Sequence, residues 1–182
     1  INAEASGASF AVQEVVRESG TLCLHSVSET TSLTANPSIR AWNTFRFSRQ
    51  GIHDSVGSAR YAAKIAEEKD LKTWMSVNPD YAYGRDSDDT FFWALEQFSP
   101  GSKIIGKGWP KIFQPDYTEV ITQIARKKPD AVYTSLWGGD LVSFIDQASL
   151  YGIFKNTELF AINLADYTTM SAIKNLPEGL HS

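Results

Sequence analysis

The sequence predicts an α/β fold, a doubly wound parallel sheet with helices on both faces, and three observations lead there. Short β-branched or apolar runs alternate with longer segments of helical periodicity. The helical segments are long enough to act as crossovers, and crossovers between strands make the strands parallel. Breaking pairs fall near the changes of period, at Asn78-Pro79, Pro100-Gly101 and Gly138-Gly139.

Taken in order, Ser6 to Ser19 carries Phe10, Ala11, Val15 and Val16 as a helical stripe that Gly20 closes. TLCLH (21–25) reads as a strand, SETTSL (28–33) as a polar turn or short helix, and NTFRF (43–47) as another strand. His53 to Asp70 repeats Val56, Ala59, Ala62, Ala63 and Ala66 at helical spacing. LKTWMSV (71–77) is a strand that stops at Asn78-Pro79, because proline cannot continue a central ladder. Asp86 to Phe98 is a helix with Phe91, Phe92, Leu95 and Phe98 on one side. Pro100-Gly101 breaks it, and SKIIGKGW (102–109) follows as a strand. Tyr117 to Lys127 turns Val120, Ile121, Ile124 and Ala125 inward. AVYTSL (131–136) is a strand running into Trp137-Gly138-Gly139, and Leu141 to Leu150 is the next helix. ELFAIN (158–163) is a strand, and a short helix near 167–174 precedes Pro177-Glu178-Gly179. No internal repeat interrupts this order.

The 182 residues suffice for one large domain or parts of two, and 42% hydrophobic with 21% charged residues is a globular balance. A net charge of −4 leaves no basic excess for nucleic acid. No apolar run approaches the ~20 residues of a bilayer-spanning helix, so direct membrane insertion is not expected. The first residue is Ile1 rather than Met, and the start is expected to be a cut one. The single cysteine, Cys23, has no partner for a disulfide or a cysteine zinc site and reads as a buried thiol.

In parallel sheets, ligands settle at the carboxyl ends of the strands, so the loops there are the places to search. They are SVSE (26–29), FSRQ (47–50), NPDYAYGRD (78–86), LWGGD (136–140) and NLAD (163–166), rich in hydroxyls, aromatics and amides. Tyr81 and Tyr83 are two apart, so their phenols diverge unless the turn re-aims one. Tyr83 either faces the cleft, where a phenol can donate and accept, or merely covers the strand end. Asp86, Asp88 and Asp89 read as the start of a helix, where carboxylates favour the positive end of the dipole, rather than as a metal site. Trp137 before two glycines offers a flat face beside open backbone. Gly106 and Gly108 lack the rest of a dinucleotide fingerprint. His25, His53 and His181 are widely separated, with no nucleophile pattern nearby. His25 ends a strand near the cleft and is read as a satisfied polar residue or a ligand contact.

The succession ASGASFAVQEVVRESGTLCLHSVSETTSLT, NTFRFSRQG, NPDYAYGRD, QPDYTEVITQIARKKPDAVYTSLWGGD and FIDQASLYGI resembles the type I periplasmic binding proteins. Within them it is most similar to the branched-chain amino-acid (Leu/Ile/Val) receptors of ABC transporters. The resemblance implies two doubly wound lobes, joined by crossing strands, with ligand held between them. It makes residues 1–46 the C-terminal part of the first lobe's opening segment and 47–182 most of the second lobe. The hinge crossing falls near Arg46–Arg49, in a piece roughly half the family's length. Residue by residue, Ser6 matches the serine that holds a ligand carboxylate, and Val27 the residue whose backbone assists. Glu29 stands where a threonine is usual, Tyr83 matches the second-lobe tyrosine, and Trp137 occupies an aromatic position facing the cleft. Asn163 replaces the acid that pairs with a ligand ammonium. Losing that acid removes a charge-assisted bond. Gaining Glu29 sets a carboxylate where the ligand's own should lie, unless it meets the ammonium or pairs with Arg49.

The function implied is that of a solute receptor, periplasmic or lipid-anchored, its secretory leader removed. It would bind an amino acid, an amide, or an aromatic or aliphatic carboxylate, and would be recognised by a membrane permease. No cofactor, metal or catalysis is expected. One alternative keeps the fold in a cytoplasmic ligand-sensing regulator, told apart by the gene's true amino terminus. The other is a hydrolase using the aspartates at 86–89 with a histidine.

Overall fold

The structure, a computed structural model, describes residues 5–182. Its main sheet holds β3 (Thr73–Val77), β4 (Lys103–Gly108), β5 (Ala131–Thr134), β6 (Glu158–Ala161) and β7 (Leu180–His181). They run β4-β3-β5-β6-β7, every pair parallel. The crossovers are α4 (Ala82–Phe98) between β3 and β4, α5 (Thr118–Lys127) between β4 and β5, and α6 (Gly138–Leu150) before β6. Side-chain alternation splits the core into two layers. Met75, Val77, Val132, Leu159 and Ala161 pack with α5 and α6, while Trp74, Ala131, Tyr133 and Phe160 pack with α4 and α3 (Gly51–Lys69). Strands buried on both faces read as unbroken apolar runs, which is how they appear in the sequence. In the second layer Phe91 stacks on Tyr133 with centroids 3.7 Å apart, and Trp74 lies between Phe91 and Phe160. Each such buried side chain contributes roughly 1.5–3 kcal/mol.

A separate parallel pair, β1 (Cys23–His25) and β2 (Thr44–Arg46), shares no strand with the main sheet. It is flanked by α1 (Ser6–Ser19) and α2 (Ser32–Ala35). Gln13 of α1 is buried and donates to the Leu33 and Ile39 carbonyls, while its other amide atom meets His25 Nε2 at 3.1 Å. That is why His25 is buried: it is a satisfied core group, held low in pKa by burial and then by Arg46. The opposite face of the pair carries Leu24 and Phe45, register partners more than half exposed at 52% and 54%.

The SETTSL segment resolves into a turn followed by the single helical turn of α2. The largest departure from the sequence reading is the start of α4, which lies at Ala82 rather than Asp86. Tyr81 is its extended N-cap, and Gly84 lets the first turn close on Pro79, whose carbonyl oxygen lies 2.0 Å from where a Cβ would stand. No acid sits in that turn. Asp86, Asp88 and Asp89 therefore serve no helix start. Asp88 is fully buried, paired with Lys107 and bonded by Asn78 Nδ2 at 3.0 Å. The two-residue β7 was not foreseen; His181 there stacks on Phe160 and bonds Glu158.

Candidate functional site

Numbered within the main sheet, the strand order is 2-1-3-4-5, so connections leave in opposite directions between β3 and β5. A crevice opens at such a point, beyond the strand ends. One side chain braces it from below. Asn78, fully buried after β3, donates to Asp88 on α4 and accepts from Ser135 N at 2.6 Å and Ser135 Oγ at 2.9 Å.

Above this brace lies a cleft of about 350 Å³. Ser6, Val27, Glu29, Tyr83, Trp137 and Asn163 all line it, brought together from five separate loops or helix starts. Three come from the part around β1 and three from the ends of β3, β5 and β6. His25, by contrast, is not among its walls.

On the main-sheet side the aromatics are fixed by hydrogen bonds. Trp137, the N-cap of α6, donates from Nε1 to Tyr81 Oη at 3.0 Å, and Phe113 packs edge-on to its ring at 6.0 Å. Gly138 follows with φ +52°, a left-handed conformation that favours glycine, and leaves the backbone bare beside the indole. Tyr81 and Tyr83 do not diverge, because the chain turns into α4 between them; their rings lie 5.9 Å apart. Tyr83 is 5% exposed, and burial first, then Glu29, pushes its phenol well above the usual range. It stays protonated. Asn163 Nδ2 donates to Tyr83 Oη at 3.1 Å, Ser135 O at 3.1 Å and Leu136 O at 3.2 Å. Two carbonyls on one atom settle the amide orientation, since only the NH₂ can face them. The Asn163 side chain can therefore offer the cleft only its acceptor oxygen.

On the other side Ser6, 2% exposed, is the first residue of α1. Among the described residues that helix has no acid in its first turn and no side-chain hydrogen bond at its N-cap, Ala5, and Ser6 at its start lines the cleft. Glu29 pairs with Arg49 at 2.9 Å, and Arg49 also meets Asp54 on α3. Burial raises the Glu29 carboxyl pKa, and Arg49 and Arg46 pull it back. Its Oε2 is buried without a hydrogen-bond partner.

Six further residues line the cleft: Tyr81, Arg49 and Gly138, inside loops marked out by the sequence, Asp166 at the end of another, and Thr168 and Thr169 beyond it. The last three had a signal. Asp166-x-Thr-Thr is a capping pattern just past a strand, and Asp166 Oδ1 does accept from Thr168 N and Thr169 N to start α7 (Tyr167–Ala172). Chemically the cleft offers hydroxyls, an amide oxygen, flat aromatic faces, the Glu29–Arg49 ion pair and the Asp166 carboxylate. Among the described residues no cluster of three or more His, Cys, Asp or Glu could hold a metal, and no helix is long and apolar enough to cross a membrane.

A family model described as periplasmic binding protein matches residues 1–180. No curated protein matches the chain in sequence. Among solved structures, a solute binding protein of an ABC transporter from Rhodopseudomonas palustris BisB5, in complex with 3,4-dihydroxybenzoic acid, superposes with TM-score 0.76. It is 19% identical, over 88% of this chain and 42% of that one. Another from R. palustris, in complex with benzoate, gives TM-score 0.77 at 20% identity, over 93% of this chain and 46% of that one. An amino acid ABC transporter substrate-binding protein from Pseudomonas fluorescens Pf-5 gives TM-score 0.69 at 18% identity, over 88% and 41%. The chain thus spans less than half the length of the structures it matches.

Proposed function

The chain belongs to the type I periplasmic binding protein family, and on that premise we propose that it is part of a solute receptor for an ABC transporter. In this reading residues 1–46 belong to the first lobe and 47–182 to the second, with the crossing at Arg46–Arg49. The receptor works outside the cytoplasm, in the periplasm or on a lipid anchor, and a membrane permease detects its liganded form. It recognises its solute and does no chemistry on it.

The observation that supports this is convergence: residues from loops and helices around both sheets wall a single cleft of about 350 Å³. That volume suits a molecule of one ring or a short chain, at the small end of ligand pockets. The solute we favour is a small carboxylate or amide with a flat body. Its acceptor end would meet Ser6 and the start of α1, with Val27 beside it. Tyr83 and Trp137 would flank its body. A donor on the solute would meet Asn163 Oδ1, and Glu29 would stay with Arg49. The benzoate and 3,4-dihydroxybenzoate carried by two of the structural relatives have this shape. A free amino acid would need Asp166 or Glu29 Oε2 for its ammonium, because Asn163 carries no charge.

The test is tryptophan fluorescence of the intact protein titrated with benzoate, 3,4-dihydroxybenzoate, leucine and acetamide. We expect a saturable change for an aromatic acid that is lost in Trp137→Phe. Flat titrations for all four, or a signal unchanged by that substitution, would remove the reading.

A further inference from the structure

The aspartates of NPDYAYGRDSDD were left without a role once the start of α4 moved to Ala82. Asp88 is explained by Lys107 and Asn78. Asp86 is not local at all. Its Oδ2 accepts from Thr30 Oγ1 at 2.5 Å, Thr31 N at 3.1 Å and Thr31 Oγ1 at 3.3 Å, residues more than fifty positions earlier. Thr30 is fully buried.

Those threonines follow Val27 and Glu29 directly, and the loop is gripped from its other side as well. Arg46 of β2 reaches the Thr30 carbonyl at 2.5 Å and the Glu29 carbonyl at 3.4 Å. Gly51 N, at the start of α3, donates to Glu29 O at 3.1 Å. Among these grips Asp86 is the one borne by α4, the helix that carries Tyr83. Positions 83 and 86 are three apart, so one helical turn separates the residue that walls the cleft from the residue that holds the facing loop.

We propose that Asp86 is a positioning residue of the cleft: it uses α4 as a spacer to set Val27 and Glu29 at a fixed distance from Tyr83. This rests on the solute-cleft reading above. A carboxylate suits the task, because one oxygen accepts all three donors, and bonds to an ionised acceptor are roughly twice as strong as neutral ones. Alanine would free the loop. Asparagine retains one acceptor oxygen and should keep part of the grip.

The experiment compares intact wild type with Asp86→Ala, Asp86→Asn and Thr30→Val. Amide hydrogen exchange at Thr31 reads the contact without any solute, exchange at Val27 and Glu29 reads the loop, and calorimetry with benzoate and 3,4-dihydroxybenzoate reads the cleft. We expect about tenfold faster exchange at Thr31, Val27 and Glu29 in Asp86→Ala, with affinity for the better acid about tenfold weaker. Asp86→Asn should fall between, and Thr30→Val should shift exchange and affinity in the same direction as Asp86→Ala. Unchanged exchange at Thr31 in Asp86→Ala overturns the proposal, as does faster exchange with unaltered affinity. If wild type binds neither acid, the choice of solute fails on its own. Exchange at Val27 and Glu29 then decides the positioning role, supported if faster in Asp86→Ala and overturned if not.

Discussion

At the scale of single residues, Gly51 shows how closely the two walls of the cleft approach each other. A Cβ there would lie 2.9 Å from Tyr83 Cε2 and 3.4 Å from Glu29 Oε2. The Tyr83 ring is buried and tied through Asn163, so it cannot swing aside as a flexible chain end would. Gly51→Ala should therefore move the phenol or the loop, at a cost of about 1–3 kcal/mol. We expect benzoate-type affinity measured by calorimetry to fall about tenfold, with only a modest drop in melting temperature; unaltered affinity would mean that Tyr83 is not held where it matters. In the sequence Gly51 was silent, since nothing in SRQGIH marks a close approach made by a tyrosine thirty-two positions on. Tyr83 and Trp137 were visible as aromatics at strand ends. The orientation of the Asn163 amide was not, because two main-chain carbonyls set it and main chain leaves no trace in composition.

At the scale of elements, the joint between β3 and β5 depends on one carboxylate. Asp130, just before β5, accepts on Oδ2 from Lys72 N at 2.9 Å, Thr73 N at 2.7 Å and Thr73 Oγ1 at 2.8 Å, while Thr73 Oγ1 takes the Asp130 N–H. Burial alone would raise its pKa, but these donors together hold it below the ordinary carboxylate value. The sign follows: the folded state binds this proton less readily than the unfolded chain does. The stabilisation is therefore complete above the unfolded value of about 3.9 and is lost as pH falls through the lower folded value. Asp130→Asn should thus lower the urea midpoint at pH 7, and the gap to wild type should narrow as the pH drops below about 4. A gap independent of pH would assign the effect to packing instead. The strands themselves were legible, since apolar runs buried on both sides cannot be mistaken for solvated loops. Their ends were less so: Asp86 looked like a cap because three acids precede an apolar run, while the true first turn is set by Pro79 and Gly84.

At the scale of the whole molecule, the two sheets differ in how well they are covered. The inner strands β3, β5 and β6 of the main sheet are clad on both faces, whereas Leu24, Phe45 and Trp42 of the smaller unit stand exposed, Trp42 at 76%. Exposed apolar side chains such as the register partners Leu24 and Phe45 promote association. The 182-residue chain should show concentration-dependent mass in sedimentation that Leu24→Thr with Phe45→Thr reduces; a monomer at every concentration would contradict this. The alternation of periods revealed the layered architecture, but periodicity alone did not divide it between two sheets, for β1 and β2 look like any other short strands. The family resemblance led to the expectation of two lobes. Every cleft-lining residue lies outside the strands, in loops or on helices. The residues that hold the frame together and those that would meet a guest are thus nearly disjoint sets. Loop positions can therefore change while the frame keeps its stability, and solved structures below one-fifth identity still superpose over most of this chain.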